Sequence, residues 1–131
     1  MFTLFLEHDH RVLLACFTGT LTLEDIAGYD RAVMLTLGRE GPVRGIIDLS
    51  DIDAVAVPHD RLRDWARQPP MVVGQERIFV ATKPATLAAA RSYSALQRNF
   101  GGIGPQIVAT RCDAYELLGL VDPKFEALVI P

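Results

Sequence analysis

Short apolar runs rich in β-branched residues alternate along this chain with longer stretches of helical spacing, and that alternation constrains the fold more than any other feature. Strands separated by single helices require right-handed crossovers, so such a series builds a largely parallel sheet with helices packed on it. "FTLFLEH" puts Phe2, Leu4 and Leu6 on one face, and "RVLLACFTG" follows after the polar "HDH", so these two runs read as an antiparallel hairpin. "TLTLEDIAGYDRAVMLTLG" is the first helix: Ile26, Tyr29, Val33 and Leu37 recur at helical spacing, Thr22 and Asp25 form a capping pair, and Gly38 is the stop. "VRGIIDL" is apolar on both faces, as a strand covered on both sides would be.

The second helix, "PHDRLRDWARQ", starts near Pro58, buries Leu62, Trp65 and Ala66, and stops before Pro69 and Pro70. After the strand "RIFVAT", the third helix lines Ala89, Tyr93, Leu96 and Phe100 on one face and ends at Gly101. "PQIVAT" and "CDAYELLG" supply a last strand and a last helix. The expected architecture is α/β: one domain over residues 1–131 with 121–131 as a C-terminal tail, a mixed, mostly parallel sheet of about five strands with an N-terminal antiparallel hairpin, and about four helices. The apolar ending "KFEALVIP" either packs back on the core or covers a second copy, and homodimerisation through Phe125 to Ile130 is one expectation.

A chain of 131 residues, half of them hydrophobic, is the size of one domain with a substantial core. No apolar run reaches the roughly 18 to 20 residues of a membrane span, and "MFTLFLEHDH" lacks the basic region and cleavage site of a secretory signal. Cys16 and Cys112 have no Cys or His at metal-ligand spacing and read as a buried small hydrophobe and a free thiol, which places the protein in the reducing cytoplasm. A formal charge of −3 with scattered basic residues gives no footprint for a phosphate backbone, so nucleic acid is not expected as a partner.

The order of elements, together with "GIIDLSDIDAV" after the first helix, resembles the STAS domain, the fold of anti-sigma-factor antagonists and of the cytoplasmic tails of sulphate transporters. The resemblance covers nearly the full chain. Asp48, Leu49 and Ser50 with Ile52 and Val55 are similar to that family's Asp-Leu-Ser-x-Val-x-x-Met/Ile frame, and "AAARSYSALQRNF" and "DAYELLG" resemble the small stand-alone SpoIIAA-like proteins. In the antagonists the frame continues Asp-Ser-Ser-Gly, with a serine at the start of the next helix that a partner kinase phosphorylates. Here Ala56, Val57, Pro58 and His59 occupy those positions, so the resemblance implies the fold without the standard serine switch.

Ser50 is a poor substitute, because a phosphate would sit among Asp48, Asp51 and Asp53; it is expected to bond a neighbouring backbone amide and shape a loop. The three acids lack the alternation, glycine and closing glutamate of a calcium loop and read as a solvated turn before a helix. His8 and His10 in "EHDH" are half of a metal pair with nothing to complete it, and His59 has no nucleophile at a recognisable spacing. "GGIGP" closes a helix instead of opening one, so it is no phosphate loop. Thr82 and Lys83, before Pro84, are the better anion candidate, with ordinary capping as the simpler use.

Open-sheet logic puts any ligand or partner at the carboxyl ends of the strands. The candidate surface is Asp48, Ser50, Asp51, Asp53, Val57, Pro58, His59, Arg61, Thr82 and Lys83. No catalytic constellation or cofactor site is legible. The expected function is a non-enzymatic regulatory or protein-interaction module of the STAS type, with an anti-sigma-factor or kinase-like protein partner. The alternative is a small-molecule or lipid-binding domain whose helices cover an apolar pocket.

Overall fold

The structure, a computed structural model, describes residues 1–68, 75–101 and 103–129. The elements in chain order are β1 (Phe2–Glu7), β2 (Val12–Leu21), α1 (Leu23–Glu40), β3 (Arg44–Val55), α2 (His59–Arg67), β4 (Arg77–Val80), α3 (Pro84–Asn99), β5 (Gln106–Val108), α4 (Arg111–Leu118) and β6 (Glu126–Ala127). The strands form one sheet in the order β5-β4-β3-β2-β1-β6. β2, β3, β4 and β5 run parallel to their neighbours, whereas β1 is antiparallel to both β2 and β6. The mixed, mostly parallel α/β architecture with its antiparallel N-terminal pair is therefore the one the sequence implies.

Strand alternation divides the core in two. Leu13, Ala15 and Phe17 of β2, Ile47 and Leu49 of β3 and Phe79 of β4 face α1, α2 and α3, while Val12 and Leu14, Ile46, and Ile78 and Val80 face α4 and the segment after it. Both faces of the central strands are buried, which explains their continuous apolar runs. On the three-helix face, aromatic rings close the gaps. Tyr29 of α1 meets Phe17 and Phe2 edge-on, and Tyr93 of α3 lies between Trp65 of α2 and Phe79 of β4.

Four local expectations change. Thr22 and Asp25 do form a reciprocal capping box at the start of α1, but Gly38 does not end that helix. A glycine inside a helix weakens it without stopping it; Gly41, at φ 80°, stops it and donates its N–H to the Leu37 carbonyl at 2.9 Å. Phe100 is not a core residue of α3. It is the C-cap, 42 % exposed, with the Arg67 guanidinium 4.9 Å from its ring centroid.

β3 runs well past Leu49 to Val55, so Asp51 and Asp53 lie on a strand and not in the expected turn. The fully buried Ile52 anchors this extension, and two register shifts against β2 keep Thr18–Leu21 paired with Asp51–Val55. The tail supplies a sixth strand by pairing β6 with β1, and the Leu128 N–H bonds the Leu4 carbonyl at 2.9 Å. Phe125 stacks on Tyr115 and Leu128 packs on the core, so these side chains of the proposed dimer face are engaged within the chain. Pro69, Pro70, Gly102 and Ile130 lie outside the described residues. No helix among the described residues is long and apolar enough to cross a membrane.

Candidate functional site

The carboxyl edge of the sheet is organised around Asp48, at the last position where β3 pairs with both β2 and β4. Its side chain points to the α4 side and is buried. An isolated carboxylate there would be costly, and three donors offset the burial. Arg111, the first residue of α4, donates its Nε–H to Oδ2 in a close ion pair, while the Ser50 hydroxyl and backbone N–H both donate to Oδ1, at 2.5 and 2.9 Å. Burial pushes the Asp48 carboxyl up, but the bonds from Ser50 and Arg111 outweigh it and hold it below the usual carboxylate range. Ser50 thus bonds a side-chain carboxylate where a backbone amide was expected.

Arg111 also donates to the Cys16 sulfur at 3.1 Å. Burial, together with Asp48 and Asp51, raises the Cys16 thiol against the pull of Arg111, so the group is a neutral thiol and not an activated thiolate. Cys16 is half-buried, Cys112 is exposed, and both are free. Arg111 escapes a sequence reading because its partner lies 63 residues away. The one local hint is its place after Thr110, which caps α4 by accepting from the Asp113 N–H at 3.1 Å.

Above this clamp the remaining candidate residues meet on one rim. Asp51 and Asp53 are exposed on the overrun of β3; Pro58, His59 and Arg61 are exposed at the start of α2; Thr82 and Lys83 are exposed at the start of α3. The Lys83 ammonium lies 3.5 Å from the Asp53 carboxylate and ties two of these elements together. Val57 is half-buried beneath Pro58, which is the N-cap of α2. Asp48 lies beneath this rim instead of on it, with Ser50 half-buried beside it.

The two hairpin histidines diverge in role. β1 ends at Glu7, so His8 and His10 fall in the turn. His10 Nδ1 lies 2.7 Å from the buried Glu7 carboxylate, and His8 pairs with Glu126 at 3.6 Å. Among the described residues there is no group of three or more His, Cys, Asp or Glu side chains set to hold a metal.

A separate hollow lies where α1, α2 and α3 meet the sheet. It encloses about 40 Å³ and is walled by Phe17, Tyr29, Leu62, Trp65, Phe79, Tyr93 and neighbouring aliphatic residues. Beside it, the Asp30 carboxyl leaves Oδ1 buried with no hydrogen-bond partner among the described residues. Burial pushes that carboxyl up, and the polar edge of the neighbouring Trp65 only partly opposes the shift. No protein-family model matches the chain, and no curated protein matches it.

Proposed function

We propose that the protein is a non-enzymatic interaction module of the STAS type that binds a regulatory protein partner, of the anti-sigma-factor or kinase kind, through the rim at the carboxyl ends of its strands in the cytoplasm. The gathering of exposed Asp51, Asp53, His59, Arg61 and Lys83 from three elements carries this reading. A mixed-sign, solvent-facing set on a scaffold held by Asp48 and Arg111 suits electrostatic recognition of a protein. The neutral Cys16 thiol and the doubly engaged Ser50 favour binding over covalent chemistry.

Affinity capture from native-cell lysate, with and without ATP, tests the proposal. A partner that is retained by the unaltered chain and lost with D51K and R61E supports it; a partner indifferent to both substitutions overturns it.

The hollow under α1, α2 and α3 favours a second reading, small-molecule or lipid binding. Its walls are aromatic and aliphatic, as in ligand pockets. Its 40 Å³ is well below the ~150 Å³ cavity that accepts benzene, so a ligand would have to part these walls. A stoichiometric copurifying molecule in native mass spectrometry would decide for this reading, and ligand-free protein would decide against it.

A further inference from the structure

We propose that the outer edge of β5 is a second docking site, taking an extended acidic peptide of a partner protein as an added strand. Among the described residues β5 ends the sheet on this side, between α3 on one face and α4 on the other. Two hollows of about 420 and 380 Å³ run along it and share Arg91, Ile107 and Val108 as walls, so they form one groove. The groove reaches from Thr82, at the carboxyl rim, to Arg98 and Gly104. It is independent of the charged rim proposed above as the partner surface, apart from touching Thr82.

Charge selects the occupant. Arg91 and Arg98 are the charged residues lining the groove, both are exposed, and neither has an ion-pair partner among the described residues. On a chain of net charge −3 this is a local excess of positive charge. The two arginines are seven positions apart in α3, about 10 Å along the helix. Same-face residues of a strand recur every ~7 Å, so two acids at alternate positions fall within reach of the two flexible guanidiniums.

The other side of an added strand would meet Leu117 of α4, which lines the groove and is 49 % exposed. The fitting sequence therefore alternates acidic residues toward α3 with apolar residues toward α4. Backbone pairing to β5 supplies affinity, and the two side-chain rows supply selectivity.

The test is fluorescence polarisation of the full chain with a dye-labelled peptide of alternating leucine and glutamate. The expected result is saturable binding, with hydrogen-exchange protection at Ile107, which faces the open edge because Val108 bonds toward β4, that weakens about tenfold in R91E/R98E, equivalent to about 1.4 kcal/mol. R91Q/R98Q, which keeps the side-chain volume, should give an intermediate loss, and thermal melts establish that each variant is folded. Four results would overturn the proposal: no saturable binding, equal binding of the peptide with lysine in place of glutamate, binding without protection of β5, or equal competition by a single-stranded oligonucleotide. In the first case the arginines serve only to keep the edge from pairing with other sheets.

Discussion

At the scale of single residues, the buried Asp48 carboxylate is the most consequential group, because its neighbours decide its cost. Arg111→Ala leaves that carboxylate with Ser50 alone. Since Arg111 is itself 43 % exposed, the expected loss is about 2 kcal/mol, less than for a fully buried pair, measurable by urea denaturation. The pH dependence carries its own sign. Asp48 is held below its unfolded value, so its contribution is complete above the ordinary carboxylate range and disappears as pH falls through the depressed value. Arg111→Ala should therefore move the acid-unfolding midpoint to higher pH.

Asp30 behaves in the opposite way. Its folded value is raised, so its contribution is present at low pH and is lost as pH rises through that value. Asp30→Asn should raise the melting temperature at neutral pH, by about 1 kcal/mol of stability, and change it little below pH ~3.5; an unchanged neutral-pH melt would contradict this. Neither effect was legible in the sequence. "GIIDLS" marks Asp48 as the polar end of an apolar run, but a partner 63 positions away and a carboxyl wedged against Trp65 are products of tertiary packing.

At the scale of elements, local chemistry was legible wherever the chain closes its own contacts. The Thr22 and Asp25 box is such a case, with the Asp25 N–H reaching Thr22 Oγ1 at 3.2 Å and the Thr22 N–H reaching the Asp25 carboxylate at 3.1 Å. Thr22→Ala should cost about 1 kcal/mol in a chemical denaturation curve. The overrun of β3 was missed because Ser50 to Asp53 has the composition of a turn. The alternation of buried Ile52 with exposed acids was the available signal.

The link from α3 to β5 rests on a close approach that only glycine permits. A Cβ on Gly104 would fall 2.5 Å from the Ser94 carbonyl oxygen, and closer still to the Ser94 hydroxyl, which itself bonds the Pro105 carbonyl at 2.8 Å. Gly104→Ala should destabilise by about 2 kcal/mol through overpacking. Its signature in hydrogen exchange would be faster exchange at β5 before β1 and β2 are affected.

At the scale of the whole molecule, one sheet is buried unevenly, by three helices on one face and by α4 with the following segment on the other. The thinner cover includes Phe125 of the returning tail, while Leu128 of the same tail packs on the three-helix face, so both close on the chain's own residues. The engagement of these side chains favours a monomer in light scattering at micromolar concentration, and a dimeric mass would mean that another surface is paired.

β4 stops beside Asp48, yet β2 and β3 continue together, with Thr18–Leu21 beside Asp51–Val55. This pair extends past β4 like a bracket, seated on the three-helix core by Leu21, Ile52 and Val55. α1 leaves from the end of one arm and α2 from the end of the other, so a load applied at Asp51 or Asp53 would reach the starts of both helices through one paired segment. A partner seated on that rim would hold a mechanical handle on most of the three-helix face without touching its core.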